Sequence, residues 1–268
     1  MALTTIQWTW RRLPDGTWIK GYTFNPWWGC VKIAPECKHC YAEGIAHHYV
    51  EDELWGPEAT TPRKLFGERH WQEPLLWNRQ AEKQGHRRSV FCASMADVYE
   101  EHSGIAGERL KLWRLIEATP WLNWLLLTKR PQNILKLSPW GPTWPDNVWV
   151  GTSVGLQKRV ETEIPSLLDV PAVVRFVSVE PQLEAVNLMP YLDRLQWVIC
   201  GGESGPDARP FDLAWARDLR DQCHAANVLF FFKQVGGRYH ESGGRLLDGR
   251  TWDEMPPEHP GYSATREG

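Results

Sequence analysis

Residues 24–43 read FNPWWGCVKIAPECKHCYAE and set Cys30, Cys37 and Cys40 in a C-x6-C-x2-C arrangement. The stretch is expected to form a loop joining a short strand, residues 18–23, to a helix starting near Tyr41. Three thiols this close, in a chain whose N-terminus lacks a secretory pattern, point to metal rather than to disulfides. A cubane iron–sulfur cluster normally takes four thiolates, so three leave one iron with an open coordination position for a substrate or cofactor. The plainer alternative is a structural zinc ion, with His39, His47 or His48 as fourth ligand. Structural zinc sites usually draw on two pairs of closely spaced ligands, and no second pair is evident in the sequence.

Outward from this loop, short β-rich runs alternate with helical patterns, as in βα units around a parallel sheet. Further strands are expected at residues 89–93, 124–128, 148–151, 173–179, 197–200 and 229–233. Helices are expected over 107–118, from Pro131, over 156–168, near 186–192 and over 213–226. Only the last of these has a full amphipathic face, with Leu213, Ala216, Leu219 and Cys223 at helical spacing. No convincing eighth strand follows. Residues 51–88 interrupt the rhythm with Pro, Trp and charge. From Thr61 to Arg88 they hold seven Lys/Arg against three Asp/Glu. They read as a basic insertion or lid with a short helix around 73–82, its charge facing phosphate or, more plainly, solvent. The Gly/Pro-rich tail 236–268 reads as a hairpin plus loop.

A length of 268 residues suits one large domain, and an α/β barrel of this size is ordinary. The opening MALTTIQWTWRRLPDG has no charged-then-apolar order, and no run of 18 apolar residues occurs. The cytoplasm is therefore the expected location, with no membrane partner. Cys92, Cys200 and Cys223 are scattered, which argues against a disulfide framework. The net charge of −3 means that any nucleic-acid contact must rest on a local patch. The 17 tryptophans are expected mostly as core or rim packing, with some free to stack on bases.

Each apolar run ends in a small polar or charged cluster: SMAD at 94–97, TKR at 128–130, GTS at 151–153, SVEP at 178–181, GGES at 201–204 and Lys233-Gln234. In parallel α/β folds the site lies at these carboxyl ends, so with the cysteine loop seven segments converge on one mouth. Taken singly, Asp97, Ser153 and Ser204 could cap the helices that follow them, and Glu180 could pair with an Arg or Lys.

With these residues in place, the sequence resembles radical S-adenosylmethionine (SAM) enzymes, which carry a three-cysteine loop after the first strand. More closely, FNPWWGC…CKHCYAE, SMAD, LLLTKRP, GTSV, SVEP, WVICGGESG, FFFKQ and LDGRTWDEMP resemble a phage-associated family of three-cysteine-motif proteins along nearly the whole chain. A looser likeness is to spore photoproduct lyases, through Ser94 and Asp97 (one residue further apart here), Thr128-Lys129 and GTSVGLQKRVE. Two departures stand out. Six residues separate Cys30 from Cys37 where radical SAM enzymes usually have three, so VKIAPE must bulge outward. The Gly-Gly-Glu element that binds the SAM amino group elsewhere follows strand two; here it follows strand six, and the amino group is assigned to Asp97 instead of Glu203.

The resemblance implies a single-domain α/β fold over residues 1–268, a partial (β/α)6-7 TIM-like barrel of the radical SAM type. It implies an enzyme in which Cys30, Cys37 and Cys40 hold a [4Fe–4S] cluster and SAM chelates the fourth iron. Reductive cleavage then gives methionine and a 5′-deoxyadenosyl radical that takes hydrogen from substrate. Ser94 and Lys129 are expected at the polar groups of SAM, Lys129 facing its carboxylate. Thr152 and Ser153 are expected at the ribose hydroxyls, with Gly201 and Gly202 against the adenine or ribose. Arg130, Glu180, Glu203, Arg209 and Lys233 are the candidate substrate contacts. A nucleobase or nucleoside in DNA or RNA, in repair or hypermodification, is the implied substrate class. An external electron donor is required, and a partner protein is compatible. The alternative of a different class is a non-catalytic, zinc-stabilised nucleic-acid-binding or interaction protein.

Overall fold

The structure, a computed structural model, describes residues 3–13, 15–50, 53–57, 60–239 and 242–258. Seven strands form one parallel sheet: β1 (Tyr22–Thr23), β2 (Arg88–Cys92), β3 (Leu122–Thr128), β4 (Val148–Ser153), β5 (Val174–Val179), β6 (Trp197–Gly201) and β7 (Leu229–Gln234). They lie side by side in chain order, every neighbouring pair parallel, with β1 and β7 at the two edges. The fold is thus mixed α/β, an open sheet that advances one strand per βα unit as barrels do.

Both faces of the sheet are covered, which is why its strands read as continuous apolar runs rather than as alternating ones. Since neighbouring side chains leave a strand on opposite sides, residues such as Val90, Trp124, Leu126, Val150, Val177 and Val198 enter the outer core. There they meet the helices α2 (Glu73–Gln84), α3 (Ala106–Glu117), α4 (Gln157–Leu168) and α5 (Leu213–Ala225), which follow α1 (Tyr41–Tyr49) in the chain. The residues between them, Phe91, Leu125, Trp149, Phe176, Trp197, Ile199 and Phe231, form a separate inner cluster. Trp8 caps that cluster, its ring centroid 4.5 Å from Phe91 of β2, 6.4 Å from Phe176 of β5 and 6.2 Å from Trp197 of β6. One side chain reaches rings on strands so far apart in the sheet order because the sheet curls around it.

Several sequence expectations change here. The first strand shrinks to Tyr22–Thr23, because Trp18–Ile19 pairs instead with Arg11–Arg12 in a small antiparallel hairpin. Helix α4 has a buried stripe of its own, Val160, Ile164 and Leu167, that the sequence reading passed over. The segment read as a basic insertion or lid contains α2, the outer-face crossover between β1 and β2, held by Trp77 and Ala81 in the core. Trp77 stacks on Tyr22 at 4.3 Å. Its charges do not gather at the mouth. Arg63 is buried under the cysteine loop, whereas Arg87 and Arg88 sit at the opposite end of the sheet, Arg87 paired with Asp146.

The tail does not extend the sheet as a regular strand; it straps the lower end of it. Asp253 bridges antiparallel to Phe231 on the β7 edge, and Phe232 N–H donates to Trp252 O at 2.9 Å. Glu254 O then accepts from the Trp197 indole at 2.9 Å, and Glu258 O accepts from Asn123 at 3.0 Å. A Leu247–Arg250 bridge forms the expected hairpin, while residues 259–268 of the tail lie outside the described residues. Among the described residues no helix is long and apolar enough to cross a membrane.

Candidate active site at the mouth of the sheet

The inner face changes character along each strand. Stepping by two residues keeps a side chain on one face, so Leu125–Leu127–Lys129, Phe176–Ser178–Glu180, Ile199–Gly201–Glu203 and Phe231–Lys233 each climb from an apolar base to a polar top. The tops surround a cavity of about 210 Å³ lined by Cys30, Cys37 and Cys40 on one side and by residues from β2 to β7 on the others. Trp8, Phe91 and Leu127 are its apolar floor.

The cysteine loop lies across this mouth because it is tied to four different strand ends. Asn25 begins it, accepting from Met95 N–H at 2.8 Å and donating to Ser94 Oγ at 3.1 Å. Cys30 is fixed by its own backbone, N–H to Leu54 O at 3.2 Å and O from Gly56 N–H at 3.1 Å. After β2, Glu100 accepts from Val31 N–H at 2.9 Å, and after β3, Arg130 donates to Val31 O at 2.9 Å. The short turn Pro35–Cys37 then turns Glu36 inward, where it accepts from Gly155 N–H at 2.7 Å just beyond β4. After β6, Arg209 donates to Pro35 O at 3.0 Å, and Glu203 meets His39 Nδ1 at 3.2 Å.

Arg130 is the cation nearest a thiol. Its Nη1 donates to Asp97 at 2.8 Å and lies 3.6 Å from Cys30 Sγ. Burial opposes its charge, but Asp97, then Cys30 and Glu100, raise it above the ordinary arginine value. Burial pushes the Cys30 thiol up to about 12 against the pull of Arg130, so ionising it calls for further positive charge beside the sulfur. A metal ion bound at the sulfur would supply that charge.

The donor set fits a cluster better than a single ion. Around one tetrahedral zinc, sulfurs at about 2.3 Å from the metal lie about 3.8 Å apart. The three sulfurs here do not fall within 4.8 Å of one another; among the described residues only Glu43, His47 and Glu53 form such a trio, and it is exposed on α1 and the loop after it. His39 points its Nδ1 to Glu203, and His47 pairs with Glu53. A four-iron cluster spreads its ligands more widely and needs only three thiolates when another molecule takes the fourth iron.

The family described as protein of unknown function (DUF5131) matches residues 4–256. This chain belongs to the DUF5131 family. No curated protein matches it. Among solved structures, a spore photoproduct lyase mutant with bound AdoMet and dinucleoside spore photoproduct is similar at TM-score 0.43 and 10% identity. The match covers 81% of this chain and 64% of that one, so the chain spans less than two thirds of that protein's length.

In this DUF5131 chain the cavity brings together Cys30, Cys37, Cys40, Ser94, Asp97, Lys129, Arg130, Ser153, Glu180, Gly202, Glu203 and Lys233 from the sequence reading. It does not bring Thr152, Gly201 or Arg209 to its wall. Thr152 alternates with Ser153 and so faces the other side, fully buried, its hydroxyl donating to Thr128 O at 3.1 Å. Gly202 has no room for a side chain: a Cβ would lie 2.0 Å from Val235 O and 2.9 Å from Phe211. Arg209 forks onto Glu203 at 2.6 and 2.9 Å. Glu180 pairs with Lys233, the plainer expectation for it.

Asp97 departs furthest from its assigned role. Oδ1 accepts from Tyr99 N–H at 3.0 Å and Thr128 Oγ1 at 2.7 Å; Oδ2 accepts from Lys129 N–H at 3.1 Å and from Arg130. A carboxylate has about four lone-pair sites, and all of them are taken inside the protein. These contacts tie Asp97 to the end of β3. Asn25, Glu36, Arg63 and Glu100 join the site without having been read as site residues from the sequence, and His39 enters it as a partner of Glu203 rather than as the fourth zinc ligand considered there. Of these only Glu36 and His39 had a sequence signal, polar residues placed between the cysteines themselves.

The Glu203 clamp yields a pH prediction. Burial alone raises its carboxyl, but hydrogen bonds from the Arg209 side chain and backbone, then from His39, outweigh burial and hold it below the ordinary value of 4.5. A carboxyl depressed on folding stabilises the protein above its unfolded pKa, and that contribution is lost as pH falls through the folded one. Urea unfolding between pH 6 and pH 3 is therefore expected to show a shallower acid loss in Glu203→Gln than in wild type, starting near pH 4.5. Parallel acid limbs would show that Glu203 carries no such linkage.

Proposed function

We propose that this protein is a radical SAM enzyme in which Cys30, Cys37 and Cys40 hold a [4Fe–4S] cluster and SAM takes the open iron. The observation that supports this most is the meeting of the three cysteines on one wall of a cavity whose other walls are the carboxyl ends of the strands. When bound, the cofactors supply a 5′-deoxyadenosyl radical that removes a hydrogen atom from substrate. The chain's own residues bind and orient. Arg130 donates toward the Cys30 sulfur, Lys129 and Ser94 present a cation and a hydroxyl to the polar end of SAM, and Ser153 reaches the ribose. The apolar floor of Trp8, Phe91 and Leu127 excludes water from below.

The substrate class in this reading is a nucleobase or nucleoside of DNA or RNA, for repair or hypermodification, and an external donor provides the electron. The Glu180–Lys233 pair offers an acceptor and a donor side by side at the cavity wall, the pattern needed to read a base edge. The phage association and the cytoplasmic setting belong to the same proposal.

Anaerobic reconstitution with iron and sulfide, followed by dithionite and SAM, tests it. The expected result is a brown protein that releases 5′-deoxyadenosine, stimulated when the right DNA, RNA or nucleoside is added. A colourless protein with stoichiometric zinc and no SAM cleavage would replace the proposal by the zinc-stabilised binder.

A further inference from the structure

Among the acidic side chains of the cavity, nearly every fully buried acceptor already has a donor. Asp97 is saturated, Glu203 is held by Arg209 and His39, and Glu180 by Lys233. Glu36 is the exception. Its residue is only 4% exposed, Oε1 accepts from Gly155 N–H at 2.7 Å, and Oε2 is buried with no hydrogen-bond partner. A buried carboxylate oxygen without a donor forfeits its hydration for nothing in return. Glu36 is also one of the residues that line the cavity.

A cation of the same cavity is anchored beside it. Lys129 Nζ donates to Ser153 Oγ at 3.0 Å and, among the described residues, has no carboxylate within 4.0 Å. Ser153 and Gly155 are two residues apart at the end of β4, so the carboxylate and the ammonium are both held at one turn without pairing with each other. Opposite charges held near but apart match a ligand that carries an N–H donor and a carboxylate on neighbouring atoms. That is an α-amino-acid group.

We infer that Glu36 accepts the amino N–H of the aminoacyl end of the ligand, with Lys129 facing its carboxylate. The inference rests on the proposed function, where that ligand is SAM, and it gives the long cysteine spacer a task. The extra residues of VKIAPE let the Pro35–Cys37 turn carry a carboxylate back to β4. Residue 155 must be glycine for this approach, because a Cβ there would lie 2.8 Å from Glu36 Cγ and 2.2 Å from Pro181 O.

The test compares wild type with Glu36→Gln, both reconstituted, by equilibrium dialysis against SAM and against 5′-deoxyadenosine, which lacks the aminoacyl group. Glutamine keeps an oxygen for Gly155 N–H and turns the free position into a donor. SAM binding is expected to weaken about tenfold or more, the effect of losing a hydrogen bond to a charged group. Iron and sulfide per chain, the urea midpoint and 5′-deoxyadenosine binding should stay unchanged. Wild-type affinity for SAM in Glu36→Gln would overturn the inference and leave the proposed function standing, and so would an equal loss for both ligands. A wild-type protein that takes up no iron and binds no SAM would remove both.

Discussion

Cys37→Ala is expected to reduce 5′-deoxyadenosine formation to the level of a protein-free control and to lower iron and sulfide sharply after reconstitution. The reason is the ligand count. If three thiolates serve four irons as proposed, the site has no spare thiol, since Cys92, Cys200 and Cys223 are buried in the outer core. On the proposed function, loss of one sulfur would leave two irons of the cluster without a protein ligand. Cys37 suits the test because it ends the Pro35–Cys37 turn, whose Cys37 N–H to Ala34 O bond of 2.9 Å is made by backbone alone and survives the substitution. Cys223→Ala, on the outer helix α5, is the matched control and should keep its cluster. Wild-type activity in Cys37→Ala would remove the proposed function.

The second large effect concerns the support beneath the loop. Replacing Glu100 by alanine is expected to destabilise the fold by about 3–5 kcal/mol, the usual cost of stranding a buried charge. Glu100 is 2% exposed and takes a fork from Arg63, Nε to Oε2 at 3.1 Å and Nη2 to Oε1 at 2.8 Å. Without it, the Arg63 guanidinium is left buried among the carbonyls of Leu54, Gly56, Thr61 and Pro62. Those carbonyls belong to the strap that holds Cys30 in place, and Val31 loses its acceptor as well. Urea unfolding measures the loss. A midpoint shift worth less than about 1 kcal/mol, the range of a surface pair, would mean that the network is not coupled to the fold. Glu100→Gln keeps an acceptor for Val31 and should fall between the two.

Much of the fold could be read in advance because its signals are local. Parallel strands buried on both faces appear as apolar runs, and the helices between them as periodic or polar stretches, so six of the seven strands were placed to within a residue or two. The first was overextended because Trp18–Ile19 and Tyr22–Thr23 look alike in sequence and differ only in which partner they pair with. The charge of residues 61–88 is hard to place from sequence for a related reason. Basic residues mark a surface on average, and only the tertiary structure reveals that Arg63 pairs with Glu100 and Arg87 with Asp146.

The site divides along the same line. The sequence alone determined that the three cysteines fall on a loop after the first strand and that the polar clusters fall at strand ends. Both are matters of chain order, and the parallel topology then sends them to one mouth. Only the tertiary structure decided which of those polar groups are free for a ligand. Asp97 looked available and is saturated, whereas Glu36 looked like spacer and keeps a bare oxygen. Hydrogen-bond partners that are remote in the chain set that difference, and no local pattern of residues encodes them.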